Sequence, residues 1–203
     1  MLSRPSRAVG EVREVPIEAV VIGASAGAIE ALQVLMPPLS QNLKLPVIVV
    51  VHLPARRKSL LPELFASMCA APVGEPLDKQ PIEGGGIWFA PPDYHLLIEG
   101  RSFALSIEAP VHFSRPSVDV LFESAAEAYG ASLTGVVLSG ASEDGALGAR
   151  AIRQRGGHVY VQDPEQALVR TMPDAAIRLA DPQFVGSLEA IAALLCGSTG
   201  WSP

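Results

Sequence analysis

Cysteine, aromatic residues and long hydrophobic runs are all scarce in this sequence. Its 203 residues include two cysteines, and 5% of them are aromatic. Cys69 and Cys196 lie in apolar helical contexts, which favours reduced core thiols over a disulfide. No CxxC or HExxH motif occurs, so no metal site is predicted. The strongest apolar run, residues 47–51, is far shorter than the roughly 20 residues of a membrane-spanning helix.

Positive charge is also scarce. Lys and Arg number 15 against 21 Asp and Glu, which gives a formal net charge of −6. Because no basic stripe is available to displace counterions from phosphates, nucleic acid is not an expected partner. Residues 1–16 lack the apolar segment of a secretory signal and are predicted to be a flexible N-terminal lead-in. The expected location is the cytoplasm.

From residue 18 onward, short apolar runs alternate with segments of helical periodicity. Buried parallel strands are predicted at 18–22, 47–51, 135–139 and 158–162. Helices are predicted at 26–36 (ended by Pro37-Pro38), 59–69, 118–129, 145–154, 174–179 and 188–195. Residues 87–108 form three short runs divided by turns, which indicates an antiparallel β-meander.

The predicted fold class is therefore α/β. It is a doubly wound, mostly parallel sheet with helices on both faces and an antiparallel β-meander at one edge. The pattern indicates a single domain over residues 17–196, followed by a C-terminal tail at 197–203.

A GxSxG sequence centred on Ser25 lies between the first predicted strand and the first predicted helix. In this arrangement the glycines allow a sharp turn, and the serine is exposed at the carboxyl end of the sheet. The following helix directs free N–H groups at the same place. A small-residue turn that only packs the helix against the strand is the alternative. The segment does not match the dinucleotide-binding fingerprint GxGxxG, because Ser25 stands in place of its second glycine. No Walker A loop is present either.

A serine hydroxyl needs a base within hydrogen-bond reach, and the chain has four histidines. His52 directly follows the second predicted strand, so it reaches the same carboxyl edge as Ser25. His158 opens a strand and therefore lies at the opposite edge. The predicted sheet does not fix the positions of His95 and His112, so neither of them is excluded as the base.

The third member of such a site is a carboxylate that orients the imidazole. Glu143 and Asp144 follow the strand at 135–139 and also reach the carboxyl edge. An ordinary N-cap is the alternative role for Asp144. The order Ser…His…Asp differs from that of α/β-hydrolases and of the serine proteases, so those folds are not implied.

Several segments, in the same order, resemble the catalytic domain of the CheB-type chemoreceptor protein-glutamate methylesterases over residues 18–195. They are VIGASAGAIEAL, HLP at 52–54, GIWFAPPDYHL, RPSVDVLF at 115–122, GVVLSGASEDGALG and Met172-Pro173. Typical members also carry a receiver domain and a linker, for which sixteen residues are too short. An excised domain and a stand-alone protein are both compatible with this sequence.

The resemblance implies hydrolysis of methyl esters on glutamyl residues of methyl-accepting chemotaxis receptors, and in some members deamidation of glutamine. It implies Ser25 as nucleophile, His52 as base and Asp144 as orienting acid, with the backbone N–H groups of Ala26 and Ala141 in the oxyanion hole. No metal or organic cofactor is implied. The implied partners are the cytoplasmic helices of the chemoreceptors, with a receptor methyltransferase as functional counterpart. Membrane contact is expected only through receptor arrays.

The sequence departs from the family pattern around this site. Ala26 and Ala28 replace the Thr and the second Gly of GASTGG, and Ala141 replaces a Met. Because these residues are replaced, a catalytically weakened module that binds receptor arrays remains an alternative function. The missing receiver domain leaves a second alternative, a stand-alone esterase for small-molecule esters. A basic cluster follows the base where the family often has Pro-Pro-Gly. It is either a solvated loop or a substrate rim that pairs with acidic receptor helices, and it consists of Arg56, Arg57 and Lys58.

Overall fold

The computed structural model describes residues 15–53 and 58–198. The strands in this part of the chain are β1 (Ala19–Ala24), β2 (Val47–Val51), β3 (Val73–Gly74), β4 (Ile87–Phe89), β5 (His95–Glu99), β6 (Ser102–Ser106), β7 (Leu133–Val137), β8 (His158–Gln162) and β9 (Phe184–Gly186). The α-helices are α1 (Ala28–Ser40), α2 (Leu61–Ala66), α3 (Val118–Tyr129), α4 (Ala146–Gln154), α5 (Thr171–Ala180) and α6 (Leu188–Ser198). A short 3₁₀ helix at Gly130–Ser132 precedes β7.

Seven strands form one parallel sheet in the order β3-β4-β2-β1-β7-β8-β9. The central strand β1 pairs in parallel with β2 on one side and with β7 on the other. Every residue of β1, β2 and β7 is buried, because helices cover both faces of the sheet. The predicted α/β class is confirmed, and so is the parallel sheet with helices on both faces.

Successive residues of the central strands face two different cores. Val21 and Ile48 pack in the core formed with α3, α4 and α5, while Ile22 and Val49 pack in the core formed with α1, α2 and α6. Burial on both faces explains why these strands are continuously apolar in sequence rather than alternating.

The predicted antiparallel β-meander is correct only for its last two runs. β5 and β6 form a separate two-stranded antiparallel sheet that packs on α3. The first run, β4, instead joins the parallel sheet between β2 and β3. Its side chains explain this placement, because Ile87 and Phe89 are buried and Phe89 stacks on Phe65 of α2 with ring centroids 5.4 Å apart.

The prediction that Pro37 and Pro38 end α1 is wrong, because the helix continues through Ser40. A proline in a helix removes the hydrogen bond to the carbonyl four residues earlier. Here those carbonyls belong to Gln33 and Val34, which are exposed, so water can replace the lost partners. Ser40 Oγ then closes the last turn by donating to the carbonyl oxygen of Pro37 at 2.8 Å.

The described residues begin at residue 15, so nearly all of the predicted lead-in at 1–16 lies outside them. At the other end α6 extends to Ser198, and the predicted tail at 197–203 therefore starts inside this helix. Among the described residues, Cys69 is half-buried and Cys196 is buried, and neither forms a disulfide. Among the described helices, none is long and apolar enough to cross a membrane.

Candidate active site

Three neighbouring strands bring Ser25, His52 and Asp144 to the carboxyl edge of the sheet. Ser25 directly follows β1 and His52 directly follows β2, and the residues before them, Ala24 and Val51, are partners in the strand register. The backbone N–H of His52 donates to the carbonyl oxygen of Ala24 at 3.2 Å. Asp144 lies in the loop between β7 and α4. The topological prediction for these three positions therefore agrees with the structure.

His52 and Asp144 are in direct contact. His52 Nε2 lies 2.7 Å from Asp144 Oδ2, and the Asp144 side chain is completely buried. Because a carboxylate only accepts hydrogen bonds, the imidazole hydrogen is on Nε2, and Nδ1 keeps its lone pair. Within the described residues no hydrogen bond joins Ser25 Oγ to His52. Nδ1 is therefore the ring nitrogen available to receive a proton.

Asp144 accepts four hydrogen bonds. Its Oδ2 also accepts from the backbone N–H of Val118 at 2.7 Å, and its Oδ1 accepts from Ser117 Oγ at 2.8 Å and from the N–H of Asp119 at 2.9 Å. Burial alone would raise the pKa of the Asp144 carboxyl. The hydrogen bonds from His52, from the start of α3 and from Ser117 outweigh burial and hold this pKa below its ordinary value. Asp144 is thus a carboxylate when it contacts His52.

Asp119, in the first turn of α3, supplies a second buried carboxyl. Its Oδ1 accepts from the backbone N–H groups of Gly145 at 2.9 Å and Gly148 at 2.7 Å. Its Oδ2 lies 3.5 Å from His112 Nε2. Burial, together with the charge of Asp144, raises the pKa of Asp119 to about 6 against the lowering effect of its backbone hydrogen bonds. Asp119 therefore holds α4 in place directly beside the loop that carries Asp144.

The two predicted oxyanion donors, the backbone N–H groups of Ala26 and Ala141, make no hydrogen bond to any described residue. The N–H of Ser25, in contrast, donates to the carbonyl oxygen of Ser139 at 2.9 Å. Gly27, with φ of 81°, turns the chain from β1 into α1 directly after Ala26. Both alanine N–H groups are therefore available to a bound oxygen atom.

Sequence analysis missed Ser139, which holds the turn around the serine. Its Oγ donates to the carbonyl oxygen of Ala26 at 2.6 Å and accepts from the N–H of Val169 at 2.9 Å. Its own N–H donates to Gln162 Oε1 at 2.9 Å. Both Ser139 and Gln162 are buried. The only signal in the sequence is a polar residue at the carboxyl end of an otherwise apolar run.

Sequence analysis gave Ser117 and Asp119 no role at the site, although both belong to the RPSVDVLF run. His95, left open as a base, supports this segment instead. Its Nδ1 accepts from the N–H of Ser117 at 3.2 Å, and its Nε2 donates to the carbonyl oxygen of Ala109 at 3.1 Å. His158 opens β8 and lies at the amino edge, as predicted. Across the described ranges, no group of three or more His, Cys, Asp or Glu side chains could hold a metal ion.

The predicted basic rim is described only in part. Arg56 and Arg57 lie outside the described residues. Lys58 is exposed and forms an ion pair with Glu63, with Nζ and Oε1 2.6 Å apart. Glu143, the acidic neighbour of Asp144, pairs instead with Arg178 of α5 at 3.0 Å.

Known proteins resemble this chain over nearly its whole length. A family model described as CheB methylesterase matches residues 20–195. A Leptospira interrogans protein, provisionally named a protein-glutamate methylesterase/protein-glutamine glutaminase, is 43% identical over 178 residues, which cover 87% of this chain and 92% of that protein. The Trichodesmium erythraeum protein-glutamate methylesterase/protein-glutamine glutaminase is 38% identical over 161 residues, and the match covers 77% of this chain but 46% of that relative. The crystal structure of the Thermotoga maritima CheB methylesterase catalytic domain matches with a TM-score of 0.85 and 30% identity, over 90% of this chain and 99% of that one.

Proposed function

Because this chain belongs to the CheB methylesterase family, we propose that it removes methyl esters from glutamyl residues of methyl-accepting chemotaxis receptors. One observation carries the catalytic part of the proposal. The buried Asp144 carboxylate holds His52 at 2.7 Å through Nε2, so Nδ1 is the ring nitrogen that can accept a proton, and His52 directly follows the strand paired with the one that ends before Ser25.

In the first half of the reaction, Ser25 Oγ attacks the ester carbonyl carbon while His52 Nδ1 takes the hydroxyl proton. The carbonyl oxygen becomes an oxyanion, and the free N–H groups of Ala26 and Ala141 are the proposed donors to it. Asp144 stabilises the imidazolium without accepting its proton. His52 then gives the proton to the leaving methoxide, and methanol departs from the acyl-enzyme.

In the second half, His52 Nδ1 removes a proton from water, and the resulting hydroxide attacks the glutamyl-serine ester. Collapse of the tetrahedral intermediate returns the proton to Ser25 Oγ and releases the glutamate side chain. A glutamine amide would enter the same sequence with ammonia as the leaving group. The names of the relatives include protein-glutamine glutaminase, which supports deamidation as a second reaction of the same site.

The proposed partners are the cytoplasmic helices of chemoreceptors, with a receptor methyltransferase as the opposing enzyme, and the proposed location is the cytoplasm. The basic segment directly after His52 is proposed as a rim that steers these acidic helices to the site. Lys58, its described member, is exposed but has part of its charge neutralised by Glu63. Arg56 and Arg57, which lie outside the described residues, are the other proposed members of this rim.

The proposal is tested by measuring methanol release from membranes that carry methylated receptors, with Ser25→Ala as the control. A small soluble methyl ester is measured in parallel. Release from receptors that depends on Ser25 supports the proposed function. Receptor binding without methanol release by the wild type would instead identify a binding module, and turnover of the soluble ester alone would identify a small-molecule esterase.

A further inference from the structure

A tight turn ahead of α3 holds a phenylalanine in an unfavourable conformation. Val111 and Ser114 exchange two backbone hydrogen bonds, of 3.1 and 2.8 Å, which leaves His112 and Phe113 as the central residues of the turn. Their φ angles are 47° and 61°, so both adopt the left-handed conformation that normally favours Asn or Gly. The Phe113 side chain is also fully exposed. Both the backbone and the side chain are therefore in states that cost free energy.

Neighbouring residues keep this turn in place. Arg115 Nη1 donates to the carbonyl oxygens of Ile107 at 2.7 Å and Glu108 at 2.8 Å, at the start of the loop. His95 Nε2 donates to the carbonyl oxygen of Ala109 at 3.1 Å. Strained backbone persists only where the surroundings fix it, and such strain is concentrated at functional sites.

The turn lies at the same edge of the sheet as the candidate triad. His112 Nε2 is 3.5 Å from Asp119 Oδ2, and the N–H of Asp119 donates to Asp144 at 2.9 Å. Asp144 in turn contacts His52. The turn that carries the exposed Phe113 ring is therefore linked to His52 through Asp119 and Asp144.

We propose that Phe113 is a docking residue, which packs against an aliphatic side chain of the receptor helix beside the methyl-esterified glutamyl residue. This inference rests on the proposed function. On an α-helix, residues three and four positions from the glutamyl lie on the same face, about 5–6 Å away at Cβ. An exposed aromatic ring next to the site can bury that neighbour while the ester enters the site. A small ester has no such neighbour, so Phe113 contributes only to the protein substrate.

The test compares Phe113→Asn, Phe113→Leu and wild type on a methylated receptor fragment and on a small neutral methyl ester. Asn adopts the left-handed conformation readily, so Phe113→Asn keeps the turn and removes the ring. It is expected to lower kcat/KM for the receptor fragment about tenfold while changing the small-ester rate less than about twofold. Phe113→Leu is expected to retain most of the receptor activity. Leu77→Asn, at an equally apolar exposed position after the outermost strand β3, is the matched control and is expected to change neither rate.

Equal losses on both substrates would overturn the inference, because they would mean that the turn only supports the triad. Unchanged rates on both substrates would overturn it as well. Binding of the fragment to Ser25→Ala and to Ser25→Ala/Phe113→Asn separates this inference from the proposed function. Weaker binding of the double variant, with no methanol release by the wild type, would keep the docking role and refute the methylesterase. Receptor turnover with equal binding by both variants would keep the methylesterase and refute the docking role.

Discussion

Asp144 binds the start of α3, the helix that carries Asp119, and Asp119 binds the start of α4, the helix that follows Asp144. Asp144, in the loop before α4, accepts hydrogen bonds from the N–H groups of Val118 and Asp119 at the start of α3, while Asp119 accepts from the N–H groups of Gly145 and Gly148 at the start of α4. The two helix ends carry positive partial charge, which suits both carboxyls. The position of Asp144 against His52 therefore depends on α3 as much as on its own loop.

Asp144→Asn should abolish most of the activity. An amide has one acceptor oxygen, so its nitrogen would face the donors His52 Nε2–H and Val118 N–H. His52 would have to place its hydrogen on Nδ1, which removes the base that Ser25 needs. The expected loss in kcat is about 10⁴-fold. A loss in methanol release of less than about tenfold would show that Asp144 does not set the tautomer of His52.

Asp119→Asn should alter the pH dependence of stability. The pKa of Asp119 is raised from 3.8 to about 6, so the unfolded chain loses this proton at a lower pH than the folded protein. The wild type therefore loses stability from this group as pH rises from about 4 to about 6, and no more above that. Asn removes the titration and keeps an acceptor oxygen for Gly145 and Gly148. Relative to wild type, the variant should gain up to about 3 kcal/mol of unfolding free energy over this interval.

Urea unfolding of the two proteins at several pH values between about 4 and 8 measures this difference. The charged groups that face Asp119 are Asp144 and His112, and both are present in the two proteins. A difference in unfolding free energy that stays constant with pH, or that falls as pH rises, would contradict the raised pKa of Asp119.

Gly23→Ala should displace Val118 and weaken both stability and activity. A Cβ at Gly23 would lie 2.2 Å from Val118 Cγ1, and the N–H of Val118 is one of the donors to Asp144. Overpacking of this kind costs about 1–3 kcal/mol of unfolding free energy. Val118→Ala makes room, so the double variant should be more stable than the sum of the two single losses predicts.

Unfolding free energies of the four proteins in this cycle give the coupling between the two positions, expected at about 1 kcal/mol or more. Gly74→Ala is the control, since its added methyl would meet Trp88 at 3.6 Å, an ordinary contact. Strictly additive losses for Gly23→Ala and Val118→Ala would mean that Val118 is not what excludes a side chain at position 23.

Local patterns in the sequence predicted much of this fold. The predicted bounds of β2, β8 and α3 agree with the structure, because β2 and β8 are short, mostly apolar runs and Ser117, directly before α3, caps its first turn. Parallel pairing then placed Ser25, His52 and Asp144 at one edge. The failure at Pro37 and Pro38 shows the limit of such rules, since α1 continues through both prolines where Gln33 and Val34 are exposed and Ser40 closes the last turn.

Contacts between distant segments could not be predicted in this way. The donors that fix Asp144 lie 25 to 27 residues earlier in the chain, and Ser139 holds a turn 113 residues away. Apart from the bond between Ser117 and Asp144, these contacts join a polar side chain to a backbone group, which has no residue type to recognise. The resemblance to the CheB family singled out the RPSVDVLF run. Only the hydrogen bonds show that Ser117 and Val118 in this run fix the Asp144 carboxylate.

The proposed catalytic triad is tested most directly by the rate of methanol release from methylated receptors, measured for wild type, Ser25→Ala, His52→Ala and the double variant. Because triad members act as a unit, each single variant should lose at least about 10³-fold in kcat, and the double variant should be within about tenfold of either. Turnover retained by Ser25→Ala, or losses that add in the double variant, would contradict the assignment of Ser25 and His52 as nucleophile and base.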